Sequence, residues 1–229
     1  MSSLFRIDGP LMDALRKFTD IVVCNIVFLL LSLPIVTMGA ALTALHSTMQ
    51  VLAADIEGGT TTTVRAFFRS FKDTFWRATV LWGIFLLSVA FFAFYRVAIT
   101  SLGDGYGQIY TVTWYALLFL FIFGYQYVFP LQARIDLSVK DTMKNAYLLA
   151  VAAMPWTLAA LALPIAAVSI SFLLDPSSIP FFIFLWAVCG IALLVYLQSF
   201  FYLAAMKRLG VKLGHDEESE EKLGEQTES

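Results

Sequence analysis

The sequence predicts an all-α fold, a polytopic bundle of transmembrane helices. Three observations carry this. Hydrophobic residues make up 59% of the chain and charged residues only 14%, where soluble domains hold about a quarter charged. Five long apolar segments, at about 18–51, 80–99, 110–130, 147–174 and 181–205, alternate with short polar connections. At about 20 residues per membrane helix, the 229 residues suit one bundle. Residues 1–210 are expected to form this single domain, and 211–229 an acidic, disordered cytoplasmic tail.

The first segment, Phe18–Val51, is interrupted by Pro34. A proline removes one helical hydrogen bond and clashes with the preceding turn. Two outcomes are open: one kinked helix, or a break near Ser32–Gly39 that folds the chain into a hairpin, giving six helices. Broken backbone at membrane depth needs burial in protein or a wet cavity. Thr37 and Ser32 are placed to satisfy carbonyls freed at the break. Gly39, Ala40, Ala41 and Ala44 permit close approach of another helix. Asn25, His46 and Gln50 are the embedded polar groups of this segment. An amide in hydrocarbon needs a polar partner, so Asn25 is expected in a hydrogen bond across the break, with ligand contact as the sharper alternative. His46 and Gln50 share one helix face. Ahead of the segment, Asp8-Gly9-Pro10 marks a helix start for a short amphipathic surface helix. Arg16 and Lys17 before an apolar run, with Gly39-Ala40-Ala41 behind it, also give the outline of a cleavable signal peptide; the later spans make one unnecessary.

Residues 55–77 form the first connection, with a flexible turn expected over Glu57-Gly58-Gly59 and Thr60–Thr63. Phe67, Phe71 and Phe75 then recur one turn apart, flanked by Arg65, Arg69 and Lys72. This predicts an interfacial helix against anionic headgroups, or a docking face for a cytoplasmic partner. Residues 80–99 are a clean span whose Arg96 reaches the interface by snorkelling. A glycine-rich turn around Asp104 leads to the span at 110–130, which ends in interfacial Tyr125 and Tyr127. The connection at 133–145 is polar. The stretch 147–174 exceeds the hydrocarbon thickness and holds Pro155 and Pro164, so a tilt or kink is expected. A turn over Asp175–Pro180 leads to the last span. Cys24 and Cys189 lie in apolar segments and are read as small packing residues.

Basic residues cluster at 6–17, 65–77, 134–144 and 207–212 and are missing from the turns near Asp104 and Asp175. Basic clusters stay cytoplasmic, which places the C-terminus inside. A hairpin at Pro34 also keeps the N-terminus inside; a single first helix would expel it. Charge therefore favours the hairpin, although its arms are short for full spans.

The signals for chemistry are sparse. No nucleophile–base pair, metal cluster or phosphate-binding glycine loop is visible, so neither an enzyme nor a cofactor is expected. Span interiors hold no acidic relay of the kind ion-coupled pumps use. The net charge of −2 gives no case for nucleic acid as a partner. The lipid bilayer is the expected partner.

Leu15–Asp20, Asn25, the run Ser32-Leu33-Pro34-Ile35-Val36-Thr37-Met38-Gly39-Ala40-Ala41, Thr43 and Ala44 resemble the opening signature of the YesL-like family of bacterial integral membrane proteins. The stretches Phe67–Thr79 and Tyr127–Arg134, with Lys144-Asn145-Ala146, resemble it too. Members are often encoded beside sugar ABC-uptake genes. The resemblance therefore implies a cell-membrane protein associated with carbohydrate import, with ABC sugar-transport subunits as partners and no catalytic residues. The alternatives are a small-solute transporter with Asn25, Thr37 and His46 along its path, and a structural or lipid-interacting membrane protein.

Overall fold

The computed structural model describes residues 10–54, 60–100, 107–173 and 179–208. The residues before Pro10, the glycine turns near 58 and 104, the turn at 175–178 and the acidic tail lie outside the described residues, and the short surface helix expected from Pro10 is the first part of α1, continuous with the apolar arm. All regular structure among the described residues is helical: α1 Pro10–Ser32, a 3-10 turn Ile35–Thr37, α2 Met38–Ala53, α3 Thr60–Thr100, α4 Gly107–Tyr125, α5 Val128–Gln132, α6 Val139–Ala152, α7 Met154–Leu173, α8 Ile179–Leu185, a π turn Trp186–Gly190 and α9 Ile191–Arg208. Five helical stretches are long and apolar enough to cross a membrane: Ile35–Ala53, Thr62–Thr100, Gly107–Gln132, Met154–Ser171 and Ile179–Arg208. This is an all-α membrane bundle.

The first apolar segment breaks at Pro34 into α1 and α2, and the chain turns back there. Asp20 of α1 accepts a hydrogen bond from Thr63 of α3 at 3.2 Å. A straight helix would carry Asp20 about 50 Å from the end of α2, beyond the ~35 Å that the ten residues from Ala53 to Thr63 span when extended. Only α2 is long and apolar enough to cross; Arg16, Lys17 and Asp20 leave α1 a shorter apolar run.

α3 corrects the expected division of residues 60–99. Thr60–Thr63 are not part of a turn but the first turn of the helix, and no separate interfacial helix precedes the span. One helix of 41 residues is ~60 Å long, twice the ~30 Å of hydrocarbon. Its polar half, up to Arg77, is held as helix by α2. Gly39 of α2 lies against Ala78 and Trp82, and Ser47 faces the same cavity as Ala66–Thr74. α2 thus runs antiparallel beside the polar half of α3, while α4 packs on the apolar half through Phe121 and Tyr125 against Phe85.

Prolines account for two further interruptions, whereas Pro164 sits inside α7 without ending it and the π turn at Trp186–Gly190 contains none. Pro130 cannot donate to the carbonyl of Gln126, and α4 gives way to α5 over Gln126–Tyr127. Pro155 likewise leaves Val151 without its donor, and the expected kink in 147–174 appears as the α6–α7 junction at Ala153. Thr157 bridges that junction, its hydroxyl 2.8 Å from the Ala150 carbonyl and 3.1 Å from that of Ala153. Ser138 caps α6, accepting from the Asp141 N–H at 3.2 Å, which satisfies one of the unpaired donors of the first turn.

Candidate functional site

The expected site residues fall into three places. The first is the break. The Thr37 hydroxyl lies 2.6 Å from the Leu31 carbonyl and 2.8 Å from that of Pro34, so one side chain serves both strands of the turn. Ser32, expected to share this work, does not: its buried hydroxyl has no partner among the described residues. Gly39 is buried, and a Cβ there would meet the Ala78 carbonyl oxygen and Trp82 Cβ at 2.5 Å. The glycine is required by close approach, not by an unusual backbone angle.

Asn25 marks the second place, and its partner is not at the break. The amide is fully buried and faces the π turn of the last span, some 160 residues away. Its Nδ2 donates to the carbonyls of Ala187 at 2.7 Å and Trp186 at 3.3 Å. Its Oδ1 accepts the Ala192 N–H at 2.9 Å. A π turn widens the helix and disturbs its regular i→i−4 ladder. Asn25 takes up donor and acceptor groups on both sides of that widening. Nearby Cys24 and Cys189 are buried free thiols, consistent with packing.

The third place surrounds the polar half of α3. Phe67 is wholly buried and Phe71 and Phe75 are half-buried. The expected docking stripe therefore faces inward, where Phe67 and Phe71 join Ile21, Leu45, Met49 and Leu52 in a hydrophobic cluster. Periodicity identified the stripe; the presence of α1 and α2 decides which way it points. Arg65, Arg69 and Lys72 are exposed, together with Phe68 and Trp76, the latter 75% accessible. Arg69 pairs with Asp73 at 3.8 Å, and Arg77 pairs with Asp136.

Behind α3, Gln50 of α2 donates to the Pro130 carbonyl at 3.1 Å and accepts from Arg134 Nε at 2.8 Å. His46 does not join Gln50. It stands edge-on to Tyr202, which in turn meets Tyr127, and His46 Nδ1 has no partner among the described residues. Gln132 accepts the Thr142 hydroxyl at 2.7 Å. Of these residues, Gln132 and Arg134 border a cavity of about 550 Å³ whose other walls come from Ser47 of α2 and from α3. Burial pushes the Arg134 guanidinium below its usual range. Leaving a buried donor unpaired costs about 1–3 kcal/mol, and here both Gln132 Nε2 and Arg134 Nη2 have no partner among the described residues. Sequence reasoning named His46 and Gln50 as embedded polar groups but did not join Gln50 to Pro130 and Arg134, because these partners lie 80 and 84 residues away along the chain.

Fold and site together define a multi-pass membrane protein with a re-folded, buried first segment and a polar cavity beside it. Residues 21–95, roughly a third of the chain, match the family described as "Protein of unknown function, DUF624". The matched region covers the second half of α1, all of α2 and most of α3. No curated protein and no solved structure matches the chain.

Proposed function

We propose that this is a YesL-like accessory component of the cell membrane, with both termini cytoplasmic, that serves carbohydrate ABC import through contact with transport subunits and has no catalytic or energy-coupling step of its own. One observation supports it most. The outer face of the polar half of α3 presents Arg65, Phe68, Arg69, Lys72 and Trp76 to the surroundings, on a helix that continues into a span. Exposed aromatic side chains and arginines are enriched at protein contacts, although lysine is not. The link to carbohydrate import comes from the family resemblance. The rival, a solute path along Asn25, Thr37 and His46, is less well supported, since the polar atoms of Asn25 and Thr37 are taken up by backbone groups.

The test is a pull-down of the full chain from native membranes in mild detergent, read by mass spectrometry. An ABC permease subunit is expected with the wild-type chain and lost with Trp76→Ala combined with Lys72→Glu. If no transport subunit comes down while the purified protein alone accumulates a sugar in liposomes, the accessory reading is wrong.

A further inference from the structure

The apolar half of α3 and its neighbour α4 leave a groove of about 410 Å³ between them, lined by Ile84, Leu87, Ser88, Phe91 and Phe92 of α3 and Phe121 of α4. Ile84, Ser88 and Phe92 recur every four residues and so share one face of the helix. Arg96 is the next member of that series. The Ser88 hydroxyl is turned back onto the Ile84 carbonyl at 2.8 Å, so it asks nothing of an occupant. Arg96 is the only basic residue between Arg77 and Arg134. It is half-buried, with its guanidinium carbon 6.0 Å from the centre of the Trp114 ring. Trp114 is itself fixed, its Nε1 donating to the Phe92 carbonyl at 2.9 Å. The ring attracts the cation but neutralises no charge, and no carboxylate among the described residues pairs with Arg96.

We propose that the groove and Arg96 form one site for an anionic phospholipid of the leaflet at that end of α3, with the phosphate on Arg96 and an acyl chain along the groove. A guanidinium without a carboxylate is complemented by a phosphodiester, which it can grip through two N–H donors. Tyr95 and Trp114 beside it are residues of the membrane–water boundary, which sets Arg96 at headgroup level. From there to Ile84 is ~18 Å along the helix, close to the ~15 Å of one hydrocarbon leaflet. A peptide segment in the groove would bring backbone groups that find no partner there; an acyl chain brings none. A zwitterionic headgroup carries its own cation beside the phosphate, so an anionic one suits Arg96 better. The site lies at the opposite end of α3 from the proposed docking face and does not rest on that reading.

Native mass spectrometry of the full chain in maltoside detergent counts bound lipid during titration with dioleoyl phosphatidylglycerol and, separately, dioleoyl phosphatidylcholine. One saturable equivalent of phosphatidylglycerol is expected, bound at least about fivefold more tightly than phosphatidylcholine. Arg96→Gln should remove that preference. Ser88→Phe, which fills the groove, should lose the saturable equivalent. Arg96→Gln leaves the Trp114–Phe92 bond in place, so it reports even if the Ser88 variant folds poorly. Arg65→Gln, at the other end of α3, should bind as wild type. Equal affinity of the wild-type chain for the two lipids, an unchanged preference in Arg96→Gln, wild-type binding by a folded Ser88→Phe chain, or an equal loss of preference in Arg65→Gln overturns the proposal.

Discussion

α2 and α7 are both apolar enough to cross a membrane, yet they live in different surroundings. Of the apolar window of α2, 61% lies buried inside the protein, against 11% for α7. The side chains explain the difference. α2 buries Gly39, Ala40, Ala41, Thr43, Ala44 and Thr48, small or hydroxylated residues that admit neighbouring backbones and whose hydroxyls fold back onto the helix. Thr43 and Thr48 bond the carbonyls of Gly39 and Ala44 at 3.0 and 2.9 Å. α7 turns Leu158, Ile165, Val168 and Ile170 outward, large residues that suit lipid tails. Hydropathy therefore finds both helices; α2 also buries Leu45, Met49 and Leu52 and α7 is itself rich in alanine, so what marks the helix that meets protein is the stretch Gly39–Ala44, where α3 approaches closely.

The largest effect should come from filling the tightest contact of α2. Gly39→Leu places its Cβ at 2.5 Å from two atoms of α3, one of them backbone, and overpacking of this kind should cost about 3 kcal/mol or more. The expected outcome is little folded protein by size-exclusion chromatography in detergent. Asn25→Leu comes next. It removes three hydrogen bonds to the π turn and should lower stability by about 2–3 kcal/mol, read as a drop in thermal midpoint. Asn25→Asp should not rescue it, because the donor to Ala187 is lost. Gln50→Leu, which strands Arg134 Nε, should cost about 1–2 kcal/mol.

Smaller effects sharpen the comparison from the other side. Pro34 is exposed in the turn, and Pro34→Ala should change stability by less than about 1 kcal/mol. Leu87 and Phe94 project from the apolar half of α3, 73% and 74% accessible. Alanine at either should stay within about 0.5 kcal/mol, since lipid replaces the lost contacts as well as any side chain did. A loss at Phe94 as large as that at Asn25 would show that this face meets protein, and the contrast between lipid-facing and protein-facing helices would fail there.

Much of the fold was legible because lipid imposes composition. The depletion of charge and the apolar segments gave the class, and Pro34 marked the break. The charge pattern favoured a hairpin, and Asp20 beside Thr63 agrees with it. What remained hidden depends on sequence-distant partners. Thr60–Thr63 read as a turn, since hydroxylated β-branched residues after glycines carry no helical period; packing of α2 against α3 outweighs that weak preference. The phenylalanine stripe was visible, but periodicity does not say whether a face meets solvent or protein. Asn25 was legible as a polar group needing a partner, whereas a π turn in the last span has no sequence signature. Gln132 and Arg134 were ordinary loop residues until α2 supplied Gln50.

The central claim, that the first segment is a hairpin buried against the polar half of α3, has a direct test. Spin labels at Thr19 in α1 and Ala54 at the end of α2, both exposed, in a chain with Cys24 and Cys189 replaced by alanine, report the distance between the two arms. Double electron–electron resonance in nanodiscs should give a single narrow distribution below about 30 Å, the spacing of packed helices plus the label arms. A distribution centred near 50 Å, the length of an unbroken helix over the same residues, would contradict the hairpin and with it the burial of α2.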